Sequence, residues 1–271
     1  MYIGRFAPSP TGPMHFGSLV TAVASYLDAK HQDGLWKVRM EDLDQPRVIK
    51  HSDKSILDTL HQHGFQWDDE VIYQSHRLDI YQNCLSKLNQ QENTYFCGCS
   101  RKEIADSAMS GIDGMIYPGT CRDKKLDSKN HALRIKVEDV YVTFEDKIQG
   151  LIQQNILRNF GDFILKRSDG IYAYQLAVVI DDAIQNINTI VRGADLIDST
   201  SRQIYLQKKL SLPSINYGHI PIATFNQKKL SKENQSTPVD HSNIKDNLIA
   251  CLKFLGQNYE VIQKENTLTN F

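Results

Sequence analysis

The sequence predicts an α/β fold in which a parallel sheet of the Rossmann type is interrupted by an inserted α+β subdomain. A short apolar strand that includes Ile3 leads through a turn rich in proline and glycine into a helix. A second strand-to-helix crossover follows at residues 190–195. Crossovers of this kind connect parallel strands, so we expect the strands of both crossovers to belong to one parallel sheet. Three cysteines crowded into residues 97–121 mark the inserted segment.

The turn at residues 5–18 has the composition of an anion-binding turn. Prolines stiffen it and glycines let a ligand approach the backbone: Pro8, Pro10, Pro13, Gly12 and Gly17. A strand, a tight turn and a helix together point backbone N–H groups and a helix dipole at an anion. The imidazole of His15 can reach a phosphate oxygen there. An isolated turn of this type is more often an ordinary connection, but this one also carries Arg5 and Ser9.

The remaining elements follow from periodicity and from breaker residues. The patterns predict a strand at 35–41, helices at 51–63 and 76–89, strands at 131–137, 140–144 and 160–165, a helix at 199–210, a strand at 218–225 and a helix at 241–255. Asp169 and Gly170 predict a turn before an apolar run at 171–180, which we interpret as β-like. Three histidines without ligand spacing are expected at the surface: His51, His61 and His63.

Composition places the chain among globular proteins. Its 271 residues suffice for one large domain or for one domain with an insertion. The sequence is 41% hydrophobic and 23% charged, and no apolar run approaches the length of a membrane span. We expect a cytoplasmic monomer without a membrane partner. The formal net charge of −1 means that any nucleic acid would have to be bound by local basic patches.

The cysteines favour a metal centre over disulfides. Cys97 and Cys99 flank a glycine, and Cys121 closes the loop, which is a spacing that can bind one tetrahedral zinc ion. Tyr117 is the nearest candidate for the fourth ligand. The alternatives are a water ligand or a buried cysteine cluster without metal. A small glycine-rich loop has little core of its own, and this favours a structural zinc ion.

Polar residues beyond the turn suggest an amino acid ligand. Glu41 ends a predicted strand, where open α/β sheets bind ligands, and could take an α-amino group. Helix capping or solvent exposure is the alternative, and it fits Asp44 better. Arg192 offers a carboxylate the bidentate geometry that lysine lacks, although a surface ion pair with Asp195 is the commoner use of an arginine.

Two motifs resemble the signatures of class I aminoacyl-tRNA synthetases. His15-Phe-Gly-Ser18 is similar to the His-Ile-Gly-His motif, with Phe for Ile and Ser for the last His. The basic loop 228–232 contains Lys229-Leu-Ser-Lys-Glu233, which is similar to Lys-Met-Ser-Lys-Ser, with Leu for Met and Glu for Ser. Arg5-Phe-Ala-Pro-Ser-Pro-Thr-Gly12 resembles the glutamyl branch, since the glutaminyl branch has Glu where this chain has Ser9.

The resemblance implies a role for each matching residue. It implies glutamate binding by Arg5, Ala7, Ser9, Glu41, Tyr174 and Arg192, with the two arginines on the γ-carboxylate. It implies ATP binding by His15, Gly17, Ser18 and Lys232, and catalytic roles for His15, Lys229 and Lys232. On sequence alone, Tyr174 could equally be a core tyrosine on a β-like segment.

The short glutamyl-queuosine tRNA(Asp) synthetases are the family that the chain resembles over essentially its whole length. Their zinc ligands match Cys97, Cys99, Tyr117 and Cys121. Roughly forty residues follow Lys232, which leaves no room for the anticodon-binding extension of full glutamyl-tRNA synthetases. The crossover at 190–195 returns the chain to the nucleotide side of the sheet and predicts a split catalytic domain at 1–95 and 183–240. The inserted subdomain at 96–182 carries the zinc loop 97–121, and a C-terminal helix and tail follow at 241–271.

The implied reaction is activation of L-glutamate with ATP and Mg²⁺, without tRNA, followed by transfer of glutamate to queuosine. The implied partner is the anticodon stem-loop of tRNA(Asp), with queuosine at the wobble position. Two alternatives stay open within the family: a truncated enzyme that charges a tRNA 3′ end, and a non-catalytic RNA-binding paralogue. A different nucleotidyltransferase could also use the phosphate turn, although it would have no use for the glutamate-binding residues.

Overall fold

The computed structural model describes residues 1–112, 114–225, 228–229 and 238–260. The chain packs into two units. Unit 1 contains Met1–Ser75, Ile187–Asp195 and the chain from Ile215 onward, and unit 2 contains His76–Asn186 and Leu196–Ser214. None of the helices in the described ranges is both long and apolar enough to span a bilayer.

Helices and strands alternate along the first half of the chain. In order they are β1 (Ile3–Phe6), α1 (Phe16–His31), β2 (Leu35–Met40), α2 (Ser52–Gln62), β3 (Ile72–Tyr73), α3 (Leu78–Gln90), β4 (Thr94–Cys97), α4 (Arg101–Ser107), β5 (Met109–Gly111), β6 (Gly114–Ile116) and β7 (Ala132–Ile135).

The second half continues in the same way. Its elements are β8 (Tyr141–Asp146), β9 (Gly150–Asn155), α5 (Ile156–Phe160), β10 (Ile164–Lys166), α6 (Tyr174–Ile184), β11 (Thr189–Gly193), α7 (Ile197–Lys209), β12 (Asn216–Ile220), β13 (Thr224–Phe225), β14 (Lys228–Lys229) and α8 (Ile244–Phe254).

Unit 1 contains parallel pairs of strands. Strand β2 pairs in parallel with β1 on one side and with β3 on the other, and β11 pairs in parallel with β12. Asn188, just before β11, links the two sets. Its side-chain oxygen accepts the backbone N–H of Ile3 at 2.9 Å, and its backbone N–H donates to the carbonyl of Ile3 at 3.0 Å. The predicted parallel α/β sheet is therefore confirmed.

Aromatic side chains fill the core of unit 1 beneath helix α1. Trp36 is fully buried, and its ring lies 5.1 Å from that of Tyr26 and 5.6 Å from that of Phe65, measured between centroids. The indole N–H donates to Ser25 Oγ at 3.0 Å, so the one polar atom of this side chain is satisfied. This packing fixes β2 against α1 and against the segment that follows α2.

Unit 2 is built on antiparallel strands and on helices α3, α6 and α7. Strand β7 lies between β4 and β10, and β8 pairs with β9. A buried carboxylate, Asp181 of α6, accepts hydrogen bonds from Arg77 Nε and from Tyr81 Oη, both at 2.7 Å. Helix α3 therefore belongs to unit 2, which begins at His76. The domain bounds drawn from the sequence at residues 95 and 96 stay a prediction.

Three predicted elements differ in the structure. The run at 171–180 is not β-like: Tyr174 begins helix α6, whose buried residues from Leu176 to Asp182 hide the helical periodicity. Phe160 ends α5 and does not begin a strand, because Asn155 caps that helix by accepting the N–H of Arg158. The strand predicted at 218–225 is divided into β12 and β13, with Pro221, which has no backbone N–H, between them.

His63 is buried, although the sequence predicts a surface position for it. Its ring Nδ1 lies 2.8 Å from the carbonyl of Thr59, its Nε2 lies 3.3 Å from Asn247 Nδ2, and the His241 ring is 6.4 Å away. Burial lowers the pKa of the imidazole below its usual value of 6.5, and the nearby His241 lowers it further. His51 and His61 are exposed, as predicted.

This lowered pKa predicts a loss of stability in acid. Since the unfolded chain binds a proton at His63 more readily than the folded chain, the free energy of unfolding should fall as the pH drops below about 6.5. We expect His63→Gln to flatten this dependence in urea denaturation between about pH 7.5 and about pH 5.5. His61→Gln, two residues away and exposed, should keep the slope of the parent. An unchanged slope for His63→Gln would contradict the assignment.

Candidate active site and metal centre

Strand β1 leads into a turn that unit 1 holds by backbone hydrogen bonds. The carbonyl of Pro8 accepts the N–H of Glu41 at 2.9 Å, and the carbonyl of Met14 accepts the N–H of Val239 at 2.9 Å. The carbonyl of Pro10 accepts the hydroxyl of Ser52. The turn is thus bound to three other segments, and its shape is fixed before any ligand arrives.

His15 caps the N-terminus of helix α1, as the sequence predicts for a residue at the helix mouth. Its Nδ1 lies 3.4 Å from the backbone nitrogen of Ser18, which donates to it, and its Nε2 lies 3.1 Å from Ser18 Oγ. Gly17 lies in the first turn of the same helix. The structure therefore brings these three predicted ATP-binding residues together at a helix N-terminus, where an anion is stabilised.

The two predicted carboxylate-binding arginines are both buried in unit 1. Arg5 lies in β1 and is 5% exposed, and Arg192 lies in β11 and is 2% exposed. The Asn188–Ile3 hydrogen bonds place the start of β11 beside β1. A buried guanidinium keeps its charge, so each arginine needs an acceptor or a ring near it.

The orientation of Arg192 is set by the next strand. Its Nε lies 3.2 Å from Nε2 of His219, and its guanidinium carbon lies 5.4 Å from the centroid of the Tyr217 ring. An arginine Nε can only donate, so His219 Nε2 accepts and the imidazole is neutral. Sequence reasoning missed His219, since only the β11–β12 register, which pairs Arg192 with His219, brings it to this position.

The acidic residues after β2 have separate environments. Glu41 Oε1 accepts a hydrogen bond from Nη2 of the buried Arg39 at 3.3 Å. Asp42 accepts the backbone N–H of Ser75 at 2.9 Å and its hydroxyl at 2.6 Å. Asp44 forms an ion pair with the exposed Arg47 at 2.7 Å, which agrees with the solvent role expected for it.

The remaining predicted site residues fall in different places. Ala7 is half-buried and Ser9 is exposed, both in the turn after β1. Tyr174 is half-buried at the first position of α6, in unit 2. Lys229 lies in β14, which pairs with β13, and Lys232 lies outside the described residues.

The three predicted thiols meet in unit 2. The sulfur atoms of Cys97, Cys99 and Cys121 all lie within 4.8 Å of one another, and those of Cys99 and Cys121 are 3.5 Å apart. The hydroxyl of Tyr117 lies 3.3 Å from Cys97 Sγ and 3.5 Å from Cys99 Sγ. Strand β4 supplies Cys97, and the loop after β6 supplies Tyr117 and Cys121.

This donor set fits a tetrahedral soft metal ion. Zinc–sulfur bonds of about 2.3 Å give sulfur–sulfur distances of roughly 3.8 Å, close to those found here. Burial alone would raise the pKa of the Cys121 thiol, but hydrogen bonds from Tyr117, the N–H of Gly98 and the other thiols lower it to about 7. Burial and the same cluster raise the pKa of the Tyr117 phenol. Among the described residues, Cys97, Cys99 and Cys121 are the side chains that lie close enough together to hold a metal ion.

Comparisons with known proteins agree with this geometry. A family model described as the catalytic domain of class I tRNA synthetases (E and Q) matches residues 3–257. The glutamyl-Q tRNA(Asp) synthetase of Dechloromonas aromatica (strain RCB) is 50% identical over 260 residues, which cover 94% of this chain and 86% of that protein. The protein of the same name from Acinetobacter baylyi is 49% identical over 242 residues, which cover 89% of this chain and 80% of that one.

A solved structure has the same fold. The glutamate tRNA ligase from Elizabethkingia meningosepticum, in complex with its amino acid, superimposes with a TM-score of 0.74 at 25% sequence identity. The match covers 88% of this chain and 54% of that one, so the chain spans about half the length of that protein. The chain is a tRNA ligase that belongs to the class I tRNA synthetases of the E and Q branch, where it groups with the glutamyl-Q tRNA(Asp) synthetases.

Proposed function

We propose that the protein activates L-glutamate with ATP, without needing tRNA, and then transfers glutamate to queuosine at the wobble position of tRNA(Asp). The observation that carries the first step is the pair of buried arginines, Arg5 and Arg192, in strands joined through Asn188. The names of relatives 49–50% identical to this chain support the second step.

Glutamate recognition rests on charge. The γ-carboxylate binds the guanidinium groups of Arg5 and Arg192, and His219 orients Arg192 by accepting a hydrogen bond from its Nε. A glutamine amide would leave both buried cations without a counter-charge, which is the basis of discrimination. Glu41 takes the α-amino group, and Ala7 and Ser9 line the site. The family resemblance alone assigns Tyr174 to the glutamate side chain.

Activation is a displacement at phosphorus. An oxygen of the α-carboxylate forms a bond to the α-phosphorus of ATP, and the bond to pyrophosphate breaks. Such reactions need positioning and charge stabilisation more than a protein nucleophile. His15, Gly17 and Ser18 bind phosphate oxygens at the α1 N-terminus, Lys229 and Lys232 bind the leaving pyrophosphate, and Mg²⁺ arrives with ATP.

Transfer requires a hydroxyl nucleophile. The cyclopentene-diol of queuosine carries a cis-diol that resembles the terminal ribose of a tRNA. One of its hydroxyls attacks the carbonyl of glutamyl-adenylate, AMP leaves with the bonding electrons, and the hydroxyl proton is released. An anticodon stem-loop of tRNA(Asp) then occupies the place that an acceptor arm has in other synthetases.

We further propose one structural zinc ion in the cysteine cluster. Cys97, Cys99 and Cys121 supply thiolates, and Tyr117 is the fourth ligand. When bound, zinc would join the end of β4 to the loop after β6. It takes no part in the activation or transfer steps.

Two assays test the proposed reaction. Glutamate-dependent exchange of pyrophosphate into ATP without RNA should occur, and it should be absent with glutamine. Charging should then succeed with queuosine-containing tRNA(Asp) and fail with the unmodified form and with tRNA(Glu). Charging of tRNA(Glu) would instead identify an enzyme that acts on a tRNA 3′ end, and absence of exchange would indicate a non-catalytic paralogue.

Arg192→Ala should selectively weaken glutamate binding. Loss of the charged hydrogen bonds should raise the KM for glutamate in pyrophosphate exchange by about tenfold to a hundredfold, with little change in the KM for ATP. Arg47→Ala is the matched control, since Arg47 is an exposed arginine of the same unit, paired with Asp44. Unchanged glutamate affinity in a folded Arg192→Ala protein would remove Arg192 from the site.

Cys121→Ser should abolish zinc binding. We expect one zinc per chain in the parent by elemental analysis, and much less in the variant, because the remaining ligands no longer complete a tetrahedron. Cys84→Ser is the control, since Cys84 lies in α3 and outside the cluster. Equal zinc content in the two variants would place the metal elsewhere or exclude it.

A further inference from the structure

Unit 2 contains a cavity of about 280 Å³ to which the activation chemistry assigns no role. Its wall is contributed by the β5–β6 hairpin, strands β7 and β10 and helices α5, α6 and α7. Met115, on the hairpin, is 51% exposed, so the cavity meets solvent on that side. This volume lies near the lower end of the range typical of small-molecule sites, roughly 300–1,000 Å³.

A buried guanidinium lines this cavity. Arg134 is 6% exposed, and its guanidinium carbon lies 3.9 Å from the centroid of the Tyr117 ring. Its Nη1 donates to the backbone carbonyl of Asp162 at 2.7 Å, and its Nε has no hydrogen-bond partner among the described residues. Across the described part of the chain, no carboxylate forms an ion pair with it. Burying a cation in this way is costly, and a bound anion would offset the cost.

The acidic side chain that lines the cavity already accepts hydrogen bonds from other groups. The carboxylate of Asp162 accepts two hydrogen bonds from Arg122, at 2.7 and 2.9 Å. It also accepts the hydroxyl of Tyr95 at 2.6 Å and the backbone N–H of Val137 at 2.8 Å. These four hydrogen bonds hold the carboxylate of Asp162 in place. Arg134 is instead hydrogen-bonded to the backbone carbonyl of Asp162.

A second guanidinium and an apolar wall define the ligand. Arg202 also lines the cavity, with its guanidinium carbon 5.0 Å from the centroid of the Phe160 ring. Two guanidinium groups suit the double charge and several oxygens of a phosphate monoester better than they suit a single carboxylate. Phe163 and Ile164 offer apolar surface for an organic body, and the amide of Gln175 offers a hydrogen-bonding edge.

We propose that this cavity binds a phosphate monoester of pyrimidine-nucleotide size, with the phosphate between Arg134 and Arg202 and the base against the apolar wall. A free nucleotide and the 5′-phosphorylated end of an RNA share this chemistry. The proposal does not rest on glutamate activation, because none of the residues assigned to that reaction lines the cavity.

Calorimetric titration of the full chain tests the proposal, with uridine 5′-monophosphate as the probe. We expect binding of this nucleotide and none of uridine, which lacks the phosphate. Arg134→Gln and Arg202→Gln should each weaken binding by about tenfold or more, because each removes a charged partner of the phosphate. Arg167→Gln, which removes an exposed arginine paired with Asp169, should leave binding unchanged.

Two controls distinguish loss of the ligand site from misfolding and from binding at the N-terminal turn. Arg134 contacts Tyr117 of the cysteine cluster, so Arg202→Gln provides an independent variant if Arg134→Gln fails to fold. His15→Gln should leave nucleotide binding unchanged, since His15 belongs to the N-terminal turn. The proposal is overturned if the nucleotide gives no binding, if uridine binds equally well, or if Arg202→Gln retains the affinity of the parent.

A competition experiment identifies the source of the ligand. A short RNA with a 5′-phosphate that displaces the nucleotide, when the same RNA with a 5′-hydroxyl does not, supports the site and assigns it to an RNA end. Displacement by neither RNA supports the site and assigns it to a free nucleotide. Equal displacement by both RNAs contradicts recognition of a phosphate monoester.

Discussion

The hydrogen bonds between Ile3 and Asn188 are the constraint on which the rest of unit 1 depends. They join residues 185 positions apart in the chain and place β11 beside β1. They bring the strand of Arg5 beside the strand of Arg192, while the β11–β12 register places His219 next to Arg192. Asn188 forms hydrogen bonds with both the N–H and the carbonyl of Ile3, so each polar backbone group of Ile3 has a partner. A single residue thus supports the geometry of the proposed glutamate site, through its side-chain oxygen and its backbone N–H.

Local sequence patterns predict the local structure well. The strand at β2, the helices α1, α2 and α3 and the crossover at β11 are all present near the predicted positions, because each has a clear period and a breaker at its end. Periodicity is misleading where burial hides it. Tyr174 begins a helix that is apolar on most sides, and such a run cannot be distinguished from a strand by pattern alone. The burial of His63 is hidden from local sequence because α8, which contacts it, is distant in the chain.

The candidate sites show the same contrast: features formed by residues close in sequence can be predicted, and features formed by distant residues cannot. The cysteine cluster could be predicted because its ligands lie within one short segment and their spacing carries the geometry. The roles of Arg5, Glu41 and Arg192 come from resemblance to a family, since their local sequence is equally compatible with an ordinary turn, a helix cap or a surface ion pair. His219 and the cavity beside Arg134 give no sequence signal, because each depends on strand register or on the packing of several elements. Side-chain contacts between distant segments are therefore visible in the structure but cannot be predicted from the sequence.

The separation of β1 from β11 also has a consequence for the growing polypeptide. At a synthesis rate of about 5–20 residues per second, β1 leaves the ribosome roughly 10 to 40 seconds before its neighbour exists. During that interval β1 and β2 form a sheet with one open edge, and such edges pair readily with other chains. The nascent protein would therefore gain from a chaperone that shields the first 75 residues until the later strands emerge.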